Sequence, residues 1–88
     1  MSYAIQVSKS FLRSLSLLPD KIKPGIVEFV YGSLATNPYR VGKALTEPLE
    51  GMWSARRGEY RILYEVDDKA QTIHVMAVRH RRDAYRIS

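Results

Sequence analysis

The run from Gly51 to Val66, GMWSARRGEYRILYEV, constrains the fold more than any other part of the chain. It reads as a hairpin: a short strand to Arg57, a tight turn at Gly58-Glu59, then a longer strand to Asp67. Side chains alternate along a strand, so Tyr60, Ile62, Tyr64 and Val66 share one face and Arg61, Leu63 and Glu65 the other. The first set is continuous and apolar and should pack on a core. The second is mixed and should stay open. On the shorter strand Trp53 and Ala55 share a face, opposite Met52, Ser54 and Arg56. With Trp53 turned to the core, Arg56 and Arg61 both project from the open face. Two guanidiniums there suit a phosphate-binding surface, and the alternative is a solvated face. Arg57 ends the first strand, beside the turn.

Eighty-eight residues make one domain, spanning 1–88, with room for one small core. The absence of cysteine excludes a disulfide framework and cysteine-based zinc sites, and His74 and His80 are too few for a convincing metal centre. No apolar run approaches the roughly 20 residues of a membrane span. The N-terminus has no basic region followed by an apolar stretch, so a soluble cytoplasmic protein is expected, with no membrane partner. Net charge is +5 and unevenly spread. Residues 51–88 carry eight Lys/Arg, seven of them arginine, and Arg79, Arg81, Arg82 and Arg86 crowd the last ten residues against Asp83 alone. Arginine recognises phosphate through a planar fork, which favours a polyanionic partner: nucleic acid, or an acidic protein segment.

From the N-terminus, Tyr3 to Val7 reads as a strand and Ser8 as a helix N-cap. A helical period over Lys9–Leu18 puts Phe11, Leu12, Leu15 and Leu18 on one face. A second helix is expected to begin at Pro24 and run to about Thr36, with Ile22, Ile26, Phe29, Val30 and Leu34 as its apolar stripe. Residues 37–50 read as a long loop, a type that is often functional. After the hairpin and a polar turn at 67–70, Thr72 to Arg79 is an interior strand. Its alternation puts Ile73, Val75 and Ala77 on one face and His74, Met76 and Val78 on the other. The expected fold is α+β: two N-terminal helices on one face of a small, mainly antiparallel four-stranded sheet, the arginine face open.

His80 and Tyr85 form a candidate acid/base pair, because histidine titrates near neutrality. The alternative for His80 is a strand end in solvent. Tyr85 suits base stacking or packing of the tail, Trp53 fits the core, and Lys43 in the long loop is a possible phosphate contact.

Leu49 to Asp68, followed by Val78-Arg-His-Arg-Arg-Asp-Ala-Tyr-Arg86, resembles the RelE family of toxins from type II toxin–antitoxin pairs, related also to YoeB and ParE. The order of elements agrees over nearly the whole chain. The resemblance implies ribosome-dependent cleavage of mRNA in the A site without a metal or other cofactor. The scissile phosphate would pass to the neighbouring ribose 2′-OH, leaving a cyclic phosphate and a 5′-OH. The family's strand arginine matches Arg61, its arginine after the last strand Arg81, its terminal tyrosine Tyr85, and a basic strand residue Arg56. A further family lysine falls on Ser54, so part of the basic set is missing. Charge stabilisation is then expected from Arg61 and Arg81, with Tyr85 orienting a base or stacking. Proton transfer falls to His80 or Lys43, and Glu47 lies near the position where YoeB-like members carry a glutamate. RNA contacts are expected from Lys43, Arg56, Arg57, Arg79 and Arg82. The resemblance also implies a cognate RelB-like antitoxin covering the helices and the basic tail, and a toxin–antitoxin complex that binds operator DNA through the antitoxin. A ParE-like gyrase inhibitor, or an inactive binding member, shares the same fold.

Overall fold

The computed structural model describes residues 2–46 and 50–82. In chain order its elements are β1 (Ala4–Val7), α1 (Lys9–Ser16), α2 (Lys23–Phe29) running into a π-helical segment Val30–Leu34, α3 (Pro38–Val41), β2 (Gly42–Ala44), β3 (Trp53–Arg57), β4 (Tyr60–Asp67) and β5 (Thr72–His80). The five strands form one sheet in the order β1-β5-β4-β3-β2, in which β1 runs parallel to β5 and the other pairs are antiparallel.

Ser8 starts α1 as its sequence position demands. Its hydroxyl oxygen accepts from Phe11 N–H at 2.9 Å and donates to the Met76 carbonyl at 2.8 Å, so one side chain caps the helix and ties it to β5. β1 reaches only as far as Val75 along β5. Beyond it, α1 closes the strand edge: Ser14 Oγ accepts from Val78 N–H at 3.1 Å and donates to the Phe11 carbonyl at 3.0 Å. Pro24 sits in the first turn of α2, where its missing N–H costs nothing. Ile26, Val30 and Leu34 then recur every four residues and bury completely against the sheet. With Phe11, Ala55, Ile62, Tyr64, Ile73, Val75 and Val78 they make the core. Each large apolar side chain there contributes roughly 1.5–3 kcal/mol by leaving water.

The structure changes four expectations. Leu12 is not part of the packed face of α1; it is exposed, and Ser14 is buried instead. Residues 38–44 are not loop but α3 and β2, so the sheet has five strands rather than four. Three residues, Gly42 to Ala44, are too few to show an alternation, and what fixes them is a tertiary contact. The buried Tyr64 hydroxyl donates to the Pro38 carbonyl at 2.6 Å, and burial pushes its phenol up to about 12. A Cβ on Gly42 would stand 1.9 Å from that hydroxyl, so only glycine lets β2 lie this close.

The third change is a register shift where Leu63 and Tyr64 pair with Ala77 and Val75, leaving Met76 as the extra residue of β5. It reverses the alternation of everything that follows on β5. Val78 and His80 share the helix-covered face with Ile73 and Val75, whereas Ala77 pairs with Leu63 of the open face. Lastly, Trp53 takes the core side of β3 but is half-buried, with its ring edge-on to Tyr39 at 5.0 Å between centroids.

Candidate nucleic-acid interface

The open face of the sheet is set by register. Lys43 of β2 stands opposite Ser54 of β3, which stands opposite Leu63 of β4. One row along, Arg56 of β3 is opposite Arg61 of β4, which is opposite Arg79 of β5. Residues two apart on a strand share a face, so Lys43, Ser54, Arg56 and Arg61 form a compact four-residue group. They line a cleft of about 300 Å³ whose remaining wall is Val41 and Leu45. Among the described residues, no carboxylate lines it. Lys43 and Arg56 are exposed and Arg61 is half-buried. Arg56 Nε donates to the Gly58 carbonyl at 3.3 Å, which holds its guanidinium near the hairpin turn. A concentration of three cations on a rigid sheet suits a phosphate diester, with guanidiniums able to donate in parallel pairs.

The other expected residues are distributed differently. Arg81 stands at the same end of the sheet as Arg61. Its N–H extends the β4–β5 ladder to the Glu59 carbonyl at 2.7 Å, and its guanidinium meets the Glu59 carboxylate at 3.4 Å. Both partners are more than half exposed, so this pair is a weak tether that a stronger anion can displace. Arg79 is in register with Arg61, yet its guanidinium donates to the Val78 carbonyl at the strand edge, and the residue lines the cleft beside α1. Arg57 is an odd man on β3: it takes the helix-side face and lines a separate hollow with Lys21, Gly25 and Tyr60. His80 is also on the helix side, its ring edge-on to Tyr60 at 5.4 Å and its Nδ1 accepting from Arg82 N–H at 3.3 Å. The fold therefore brings Lys43, Arg56 and Arg61 together, holds Arg81 against Glu59 at the hairpin end of the sheet, and puts His80 and Arg57 on the opposite side of the sheet. Arg82 lies in the exposed turn after β5. Tyr85 and Glu47 are outside the described residues.

Ser54 was missed as a site residue. Alternation already puts it beside Arg56, but a serine among arginines carries no charge signal. It is 7% exposed, and its Oγ is shielded from solvent without a hydrogen-bond partner among the described residues.

A second polar group braces the far end of the sheet. Tyr3 donates to Asp68 Oδ1 at 2.6 Å and Tyr39 donates to Oδ2. These two bonds hold the Asp68 carboxyl below its ordinary range, and the bond to Asp68 pushes the Tyr39 phenol up to about 12. Because Tyr39 belongs to α3 and Tyr3 precedes β1, Asp68 joins both flanks of the sheet at one turn.

Comparison with known proteins identifies the relatives of this arrangement. The sequence model of the family described as the ParE toxin of the type II toxin–antitoxin system, parDE, matches residues 5–85. Toxin RelG of Mycobacterium tuberculosis is 44% identical over 86 residues, covering 98% of this chain and 99% of the relative. Toxin RelE of the same organism is 41% identical over 86 residues, covering 98% and 89%. Among solved structures, the RelBE2 toxin–antitoxin complex of M. tuberculosis superposes with a TM-score of 0.88 at 41% identity, covering 91% of this chain and 99% of that one.

Proposed function

The chain belongs to the RelE/ParE family of type II toxins, and from that premise we propose that it is a metal-independent endoribonuclease that cuts mRNA on the ribosome. The observation that carries this reading is the Lys43–Arg56–Arg61 cleft. Cleavage by attack of a ribose 2′-OH on the adjacent phosphate needs a base for the 2′ proton, an acid for the departing 5′ oxygen, and positive charge for the dianionic phosphorane. Arg61 and Arg56 supply the charge from neighbouring strands, and Arg81 adds to it once released from Glu59. For proton transfer, Lys43, which lines the cleft, is favoured over His80, whose ring packs on Tyr60 across the sheet. Tyr85 orients the general base or stacks on a nucleobase.

The substrate assigns the cytoplasm as the place of action. The partner is an antitoxin of the RelB kind, as in the RelBE2 complex, and DNA binding by the complex is the antitoxin's task.

The test is expression without antitoxin, followed by mapping of mRNA ends on programmed ribosomes. Growth arrest with cuts inside the A-site codon, leaving 5′-OH ends, is expected. Undisturbed protein synthesis with abundant soluble toxin defeats the reading. A second reading, poisoning of DNA gyrase, is favoured by the ParE description of the matching family. It is recognised by double-strand DNA breaks with intact mRNA.

A further inference from the structure

Ser54 is the anomaly of the open face. Its side chain is buried between Lys43 and Leu63 in the sheet register and is two residues from Arg56. Its Oγ lies within the sheet of cations with no hydrogen-bond partner among the described residues. Leaving a hydroxyl dry and unbonded is unfavourable, and apolar residues of the same size avoid that cost. An alanine would suit the free protein better.

We propose that the Ser54 hydroxyl is a phosphate-binding donor, completed only when an anion enters the cleft. The site's ligand class is a phosphodiester of RNA, which rests on the function proposed above. Three features support the assignment. The cleft wall is made by Lys43 and Arg56, long exposed side chains that can swing aside and close over an anion by rotamer change. Ser54 sits on a strand with neighbours on both sides, so its Cβ direction is fixed before the ligand arrives. A neutral donor at this position adds a directed hydrogen bond without a further positive charge, so it can hold one non-bridging oxygen in a set orientation while the three cations neutralise the rest. Ser54 is thus a positioning residue: no bond is made or broken at its Oγ.

The experiment uses the full chain as wild type, Ser54→Ala and Ser54→Thr. Three quantities are measured: thermal midpoint, affinity for inorganic phosphate and for a 2′-deoxy-substituted RNA that cannot be cut, and cleavage of ribosome-bound mRNA. Ser54→Ala is expected to melt at or above the wild-type temperature, because it removes an unbonded buried hydroxyl. It should bind both anions about tenfold more weakly, with the loss in cleavage appearing in KM as well as kcat. Ser54→Thr, which keeps the hydroxyl, should recover most of the binding. Equal anion affinity in wild type and Ser54→Ala overturns the inference, as does a lower melting temperature with unchanged binding, which marks a purely structural serine. If wild type binds phosphate in a Ser54-dependent way yet cuts no mRNA, the anion site stands and the endoribonuclease reading falls.

Discussion

Arg56 and Arg61 are direct cross-strand partners on β3 and β4, with Arg79 next in the same row on β5. Like charges set opposite each other in a sheet repel, and a sheet selected for stability alone would place opposite charges or a Thr pair there. On the function proposed above, Arg56 and Arg61 of this row serve an anion. In Arg61→Ala, thermal stability should stay within about 0.5 kcal/mol of wild type, as for other open-face strand substitutions. Cleavage of ribosome-bound mRNA should fall roughly a hundredfold, the loss of about 3 kcal/mol of charge stabilisation in the transition state. Arg61→Lys should restore only part, because an ammonium cannot present two parallel donors. A folded Arg61→Ala protein that cleaves at the wild-type rate removes Arg61 from the chemistry.

The contact between Gly42 and Tyr64 makes a stability prediction with a functional echo. An alanine at 42 would meet the Tyr64 hydroxyl at 1.9 Å and must expel it from the Pro38 carbonyl. Gly42→Ala should lower stability by roughly 2 kcal/mol or more. It should also reduce cleavage in the surviving folded fraction, since Lys43 is the next residue. Tyr64→Phe removes the hydrogen bond without the clash and should cost only about 1 kcal/mol. Urea unfolding of both variants checks the order, and a Gly42→Ala protein as stable as wild type would show that β2 is not held in this way.

Asp68 contributes to the acid end of the stability profile. Its carboxyl is held below the ordinary aspartate value of 3.8 by the Tyr3 and Tyr39 hydroxyls. Its contribution is therefore fully present above that value and is lost as pH falls through the lower, folded-state value. At the alkaline end, Tyr39 ionises near 12 instead of 10.0, so its contribution is lost as pH rises through that interval. Asp68→Asn should flatten the decline of melting temperature as pH falls below the ordinary aspartate value of 3.8. Identical acid slopes for the variant and wild type would remove Asp68 as a contributor.

Leu17 is 80% exposed at the end of α1, beside a cleft of about 460 Å³ shared with Arg13, Leu18, Arg79 and His80. Leu12, five residues earlier and about 140° round the helix, is 52% exposed outside this cleft. Apolar side chains rimmed by basic groups suit a partner helix that is apolar with acidic flanks, as expected of an antitoxin. Leu17→Asp should weaken antitoxin binding at least tenfold by calorimetry while leaving mRNA cleavage by the free toxin unchanged. Unaltered affinity would direct attention to the C-terminal arginines instead.

What the sequence determined by itself is what depends on neighbours in the chain. Ser8 capped α1 because the cap is a bond to a residue three positions on. Arg56 and Arg61 reached the open face because a two-residue turn at Gly58-Glu59 locks register, and alternation does the rest. Ile26, Val30 and Leu34 found the core through their own spacing. Tertiary structure decided whatever depends on distant pairing. Lys43 joined the cleft only because Gly42 lets β2 pass over Tyr64, a contact 22 positions away in the chain that no local pattern records. The extra residue at Met76 reversed the alternation of β5, turning Val78 into the core and carrying His80 to the helix side, away from the arginines it was expected to join. A bulge leaves no trace in the order of apolar and polar residues, because it exists only in the pairing of two strands. Ser54 was legible as a position, but that its hydroxyl is buried without a partner among the described residues becomes apparent only when the residues packed around it are known.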